Sequence, residues 1–193
     1  MQDWNEIRTW RKSTRARLLA ERQSLSNAER DALSAAVRDR LLQVLGSLPR
    51  SLGIYWPIHG ELNLIPIAEA VLANGGEVGL PVVVEKAAPV EFWRWRHGER
   101  LVRGQWDIPV PKHRDVLAPE LLIVPLVGFS VDGYRLGYGG GYYDRTLAAA
   151  NPRPRTIGVG FSTARLPTIH PQPHDIRLDL LVTEDGIQNR EKP

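Results

Sequence analysis

The sequence predicts an α/β domain built on a mainly parallel sheet flanked by helices, and three observations carry that prediction. Stretches with apolar residues at helical spacing alternate with short apolar runs, the pattern of helices and strands in alternation. The run over residues 121–127, Leu-Leu-Ile-Val-Pro-Leu-Val, reads as a buried strand. Between it and the helix-forming stretch Thr146-Leu147-Ala148-Ala149-Ala150 lies a dense glycine segment. With 193 residues, 42% hydrophobic and 24% charged, the chain suits one globular domain over residues 1–193, without internal repeats or low-complexity linkers.

In order, residues 3–45 read as helical, and Asp3 is placed to cap the start. Ile7, Trp10, Leu18, Leu19 and Leu25 recur at helical spacing. Ser26-Asn27-Ala28-Glu29 matches Ser-x-x-Glu, a capping box that starts a second helix carrying Leu33, Val37, Leu41, Leu42 and Leu45 as a stripe. Residues 51–56 form a short strand stopped by Pro57, with a turn at Gly60. Asn63 begins a helix over 64–73, ended by Asn74-Gly75-Gly76. Residues 77–84 give a second strand in which Pro81 marks an edge or the end of pairing. Residues 90–95 alternate as a half-exposed antiparallel strand, and 98–103 read as a turn or short helix. Asp132-Gly133 is a turn, 156–161 a strand, 166–174 a proline-rich loop, and 180–183 the last strand. The charged tail beyond Gly186 is expected to fray.

Composition narrows the function. The chain has no cysteine, which excludes a disulfide scaffold, a cysteine nucleophile and a thiolate metal site, and fits a cytoplasmic location. The N-terminus carries charges within its first eight residues and lacks an apolar signal core. No apolar run approaches the roughly 20 residues needed to cross a bilayer, so no membrane partner is expected. A net charge of +3 favours anionic ligands weakly.

The chemistry concentrates in Arg135-Leu136-Gly137-Tyr138-Gly139-Gly140-Gly141-Tyr142-Tyr143-Asp144-Arg145. Glycine permits positive φ and removes Cβ, so backbone N–H groups can converge on an anion, and the following helix start adds unpaired donors. The segment lacks the Lys and hydroxyl of a Walker-type loop, and Tyr142 stands where a dinucleotide fingerprint needs glycine. The competing reading is a flexible turn packed on a neighbouring helix. Asp144 either caps the helix or holds Mg²⁺ between itself and phosphates. Arg11, Arg15 and Arg22, with Lys12 beside them, fall near one face of the first helix, a stripe that alone reads as solvated. His170 and His174 have i, i+4 spacing, but Pro171 and Pro173 preclude a helical metal pair, so zinc is not indicated.

The run from Arg135 to Asp144 resembles the signature of the 5-formyltetrahydrofolate cyclo-ligases, also called 5,10-methenyltetrahydrofolate synthetases, and the resemblance extends over nearly the whole chain. It implies a three-layer sandwich of the NagB/RpiA/CoA-transferase-like kind. It implies ATP contacts from Arg11, Lys12, Ser13, Thr14 and Arg15, and from Arg135, Leu136, Gly137, Tyr138, Gly139, Gly140, Gly141, Tyr142 and Tyr143. Trp56, Glu61, Trp106 and Tyr142 become folate contacts, although Trp106 equally suits core packing. Asp144 and Asp175 become Mg²⁺ ligands, with Asp179 as the competitor for the second place. The implied reaction consumes ATP and 5-formyltetrahydrofolate and needs no covalent nucleophile. The expected partners are these small molecules, without nucleic acid, and the expected state is a monomer. The chain departs from the family pattern at Tyr138 and Gly140, where a basic residue is common. Two other readings stand beside this one: a non-catalytic relative binding RNA or another anion through the basic first helix, and a sugar-phosphate or acyl-transfer enzyme gripping a substrate phosphate.

Overall fold

The computed structural model describes residues 3–189. Helix α1 spans Trp4–Ser24 and α2 spans Asn27–Leu45. The capping box forms: Ser26 Oγ accepts from the Glu29 N–H at 3.2 Å, and the Glu29 carboxylate accepts from the Ser26 N–H at 2.8 Å. Asp3 makes no side-chain cap. Next come β1 (Ser51–Ile54), α3 (Ile65–Ala73), β2 (Glu77–Val82) and β3 (Glu91–Trp95). Short strands β4 (Val102–Arg103), β5 (Pro109–Val110) and β6 (Val116–Leu117) lead to β7 (Leu121–Pro125). Then follow β8 (Gly128–Ser130), β9 (Arg135–Leu136), α4 (Tyr142–Ala149) and β10 (Arg155–Val159). The chain ends on β11 (Arg165–Leu166), β12 (Leu180–Thr183) and β13 (Gly186–Asn189).

Eight strands form one sheet in the order β13-β12-β10-β7-β1-β2-β3-β6. Its five central strands run parallel, and β13, β3 and β6 are joined antiparallel to their inner neighbours. Strand period two sends Leu121 and Ile123 to one face and Leu122 and Val124 to the other. The first face meets Val37 and Leu41 of α2 and Ile67, Ala68 and Val71 of α3. The second meets Leu18 of α1, Leu147 of α4 and Phe129 and Leu136 of the β8–β9 hairpin. Both faces are covered, giving the three layers expected and explaining why residues 121–124 are uninterruptedly apolar. Gly53 of β1 must stay small, since a Cβ there would lie 2.4 Å from Leu122 Cδ2.

Three expectations change. The tail beyond Gly186 pairs rather than frays through Asn189: β13 forms a two-residue hairpin with β12, Val182 opposite Ile187; residues 190–193 lie outside the described residues. Residues 102–103 are a strand paired with β5, not a helix. The stretch that leads from β7 to the glycine segment, read from sequence only as the Asp132-Gly133 turn, holds the β8–β9 hairpin, which forms a small sheet with β11. The Asp132-Gly133 turn closes that hairpin, with Gly133 at φ +87°. The Val127 N–H donates to Leu136 O at 3.0 Å, which returns the chain to the end of β7 before the glycines begin.

From β1 the chain moves outward to β2, then returns to β7 on the other side of β1 and continues to β10 and β12. The carboxyl ends of β1 and β7 therefore flank a topological switch point, where open α/β sheets leave a ligand crevice.

Candidate functional site

The glycine loop begins at the switch point. Gly139 and Gly141 hold φ of +97° and +66°, conformations that a side chain disfavours. Among the described residues, no amide from Gly137 to Asp144 donates a hydrogen bond to protein. The loop's carbonyls are held instead: Arg15 Nε donates to Gly137 O and Arg145 Nη2 donates to Gly140 O, each at 2.6 Å. Backbone N–H groups are obligatory donors, so a run of unpaired ones is a concentrated positive surface. Burial, and then the neighbouring Arg11 charge, lower the pKa of Arg15, the direction expected where cations crowd.

The two aspartates expected to hold metal both sit in ion pairs. Asp144, in the first turn of α4, lies 2.7 Å from Arg135 Nη2, and its Oδ1 accepts from the Ile176 N–H at 2.9 Å. That Nη2 is close enough for an ion pair but is not aligned as a hydrogen-bond donor. Asp175 pairs with Arg11 through both oxygens and accepts from the Gln172 N–H at 2.7 Å. Because Asp144 binds the amide next to Asp175, the segments carrying the two aspartates are neighbours, 31 residues apart in sequence. Among the described residues no cluster of three metal-type side chains exists, and no hydrogen bond reaches Asp144 Oδ2. That donor set fits a hard cation completed by phosphate oxygens and water, with Asp144 accessible and Asp175 engaged by Arg11. Asp179 serves a different neighbour: its Oδ2 accepts from the Thr156 N–H and hydroxyl at 2.8 and 2.7 Å, tying β10 to the approach of β12.

Across the crevice stands Glu61, 5% exposed. Its Oε1 accepts from the Tyr138 hydroxyl at 2.7 Å and its Oε2 from the Ile58 N–H at 2.9 Å. Arg22 Nη2 donates to the same tyrosine oxygen at 2.5 Å, and Arg22 Nε to His59 O at 3.1 Å. Burial raises the Glu61 pKa from its usual 4.5 against the opposing pull of the Ile58 amide, Tyr138 and Arg22. Burial likewise raises the phenols of Tyr55, Tyr138 and Tyr143, so all three are neutral donors at ordinary pH. Tyr55, Pro125, Leu126, Val159 and Phe161 wall the crevice, which is closed around Glu61 and holds no water-sized space.

The remaining expected residues divide. Arg11, Arg15 and Arg22 do share a face of α1, and it is the inward face; Thr14 is buried with them. Lys12 and Ser13 are exposed, and the Ser13 hydroxyl bonds its own helix at Trp10 O. Trp56 packs edge-on to Trp95 at 6.1 Å and lines a groove of about 560 Å³ with Ile65, Leu101 and Pro109. Neither Glu61 nor the glycine loop lines this groove; the loop and crevice, with their unpaired donors and buried carboxylate, are the stronger candidate site. Trp106 is not a core residue: it is 59% exposed at φ +54° and meets Tyr142 edge-on at 5.5 Å. Trp106 and Asp107 both have positive φ, consecutive strained residues of the sort found at functional sites. No contact was expected for Arg22 or Arg145 from sequence. Only Arg22's membership of the basic stripe pointed to it, and only Arg145's place beside Asp144 pointed to the other.

A model of the 5-formyltetrahydrofolate cyclo-ligase family matches residues 7–184. The chain belongs to that family. The 5-formyltetrahydrofolate cyclo-ligase of Escherichia coli K12 is 32% identical over 147 residues, covering 72% of this chain and 81% of that protein. The Mycoplasma pneumoniae enzyme of the same name is 25% identical over 178 residues, covering 91% and 99%. The solved structure of Aquifex aeolicus 5,10-methenyltetrahydrofolate synthetase superposes with a TM-score of 0.82 at 29% identity, covering 95% of this chain and 94% of that one. Family and relatives together indicate an enzyme with 5-formyltetrahydrofolate cyclo-ligase activity. The glycine loop, Glu61, Asp144 and Asp175 all fall inside the matched range.

Proposed function

We propose that the protein uses ATP and Mg²⁺ to close 5-formyltetrahydrofolate to 5,10-methenyltetrahydrofolate, releasing ADP and phosphate. The observation that carries this reading is the run of unpaired amides from Gly137 to Asp144, opening beside a buried carboxylate at the switch point. A formamide oxygen is a poor nucleophile and a poor leaving group. Its attack on the γ-phosphorus expels ADP and turns it into phosphate-activated oxygen. The folate N10 then adds to the formyl carbon and loses its proton, and phosphate departs with the former formyl oxygen. Such chemistry asks a protein for position and charge stabilisation rather than a nucleophile.

The residues meet those demands in kind. The loop amides and Arg15 bind the phosphate chain, as donors already fixed before the ligand arrives. Glu61, accepting from the ring N–H and amino groups of the pteridine, orients the folate at the other wall. Trp106 and Tyr142 present flat apolar faces beside the loop. Asp144, with Asp175 after Arg11 yields, would hold Mg²⁺, which supplies charge neutralisation to the β- and γ-phosphates when bound. Arg11 is then free to turn its guanidinium to the phosphates.

The test is an absorbance assay in the methenyl product's band with ATP, Mg²⁺ and 5-formyltetrahydrofolate, omitting each in turn. Product only in the full mixture supports the proposal. Product without ATP, or none in the full mixture, overturns it.

A further inference from the structure

Arg145 breaks a local rule. It stands in the first turn of α4, where the helix dipole disfavours a cation. Among the described residues no carboxylate pairs with it, although Asp144 is its sequence neighbour; Asp144 is committed to Arg135. Its guanidinium is nevertheless drawn back over the loop. Nη2 donates to Gly140 O at 2.6 Å, the head group stacks on the Tyr142 ring at 4.8 Å, and Nε reaches Ala88 O only at 3.5 Å. Nη1 takes no protein partner among the described residues and lies 2.9 Å from where a Cβ on Gly141 would be.

The loop's own side chains leave a need for such a group. Tyr138 turns away to Glu61, and Gly140 carries no side chain; the space one would enter is filled by the Tyr142 ring, 2.7 Å from the Cβ position. Arg135 and Arg11 are answered by Asp144 and Asp175. Of the arginines touching the loop's glycines, Arg15 at Gly139 and Arg145 at Gly141 remain without counter-charge among the described residues. They flank the unpaired amides from the two sides. A cation held against its helix dipole, without a counter-charge and beside free donors, is resolved by an anion that answers all three.

We infer that Arg145 is a second phosphate clamp, closing on the nucleotide's phosphate chain opposite Arg15 and standing in for the side chains that Tyr138 and Gly140 do not offer. This rests on the loop being the nucleotide site. Its Tyr142 stack and Gly140 bond preset the guanidinium, so the fork meets phosphate at little entropic cost.

The experiment measures binding of ATP with Mg²⁺, of tripolyphosphate and of 5-formyltetrahydrofolate by calorimetry, to the wild-type chain, R145M and R145K. R145M keeps the stem on the Tyr142 ring and loses the charge. It is expected to bind ATP and tripolyphosphate roughly tenfold more weakly, with folate affinity unchanged, and R145K to recover part of the loss. Undiminished ATP binding by R145M overturns the inference. A wild-type chain that binds neither ATP nor tripolyphosphate overturns the nucleotide reading itself, a distinguishable result. A second readout needs no variant: ATP should shield Arg145 of the wild-type protein from an arginine-selective dicarbonyl, mapped by mass spectrometry, and equal modification with saturating ATP overturns the clamp.

Discussion

The glycine loop and the Glu61 crevice face each other across the switch point and are prepared in opposite ways. In the loop the amides wait without partners while the carbonyls are tied to Arg15 and Arg145. In the crevice both oxygens of Glu61 are already engaged, one by Tyr138 and one by the Ile58 amide. The loop is preorganised for its ligand, so binding there costs little rearrangement. The crevice is self-satisfied, as a buried carboxylate must be, and a ligand enters only by exchanging one hydrogen bond for another. Tyr138 belongs to the loop and bonds in the crevice, so the two regions meet in one side chain.

The strongest way to break the contrast is Gly139→Val. A β-branched residue at φ +97°, with its Cβ 3.3 Å from the Arg15 guanidinium, distorts the loop and displaces the arginine. The KM for ATP should rise about 100-fold, while the chain loses about 1–3 kcal/mol of stability to backbone strain; an unchanged KM would remove the loop from the site.

Glu61→Gln strikes the other region. It should lower kcat/KM for the folate about 10- to 100-fold, without lowering stability. Burial lifts the Glu61 carboxyl above its usual 4.5, so its stabilising contribution is full below that pH and is lost as pH rises through the folded value. E61Q lacks that loss. Unfolding free energies measured across pH should therefore diverge in the variant's favour above 4.5, and a gap independent of pH would show that the carboxylate is not strained by burial.

Asp179→Ala sharpens the comparison by leaving both regions alone. It removes the acceptor of both the buried Thr156 N–H and the Thr156 hydroxyl proton and should cost about 1–3 kcal/mol in denaturant unfolding. Turnover per folded molecule should hold; its collapse would return Asp179 to the candidate metal ligands.

Tyr138→Phe should give the smallest change. Glu61 Oε1 loses its internal donor, so the folate no longer has to displace one, and its Kd should fall about two- to fivefold. Weaker folate binding would mean that the hydroxyl assists the ligand instead of competing with it.

The legible parts of this molecule are those whose cause is local. Ser26 and Glu29 sit three apart and satisfy each other, and residues 121–124 are apolar because both sheet faces are covered, so both could be read directly. The β8–β9 hairpin could not: its strands are three and two residues long, and they exist because the small sheet pairs with Arg165–Leu166, far along the chain. The same holds in the site. The glycines and Asp144 were visible as a motif. Arg22 acquires its role from Tyr138, 116 residues away, and no spacing rule reaches that far. Asp175 could be proposed, but its pairing with Arg11 spans 164 residues. The exposure of Trp106 depends on two successive positive φ values that its sequence context, without glycine at either position, gave no reason to expect.

The most direct measurement is an amide-resolved NMR titration of the protein with ATP and Mg²⁺. The largest shifts should fall on the amides of Gly137, Gly139, Gly140 and Gly141, with little change at the Trp56–Trp95 groove. Unmoved glycine amides, with shifts gathered at that groove, would contradict it.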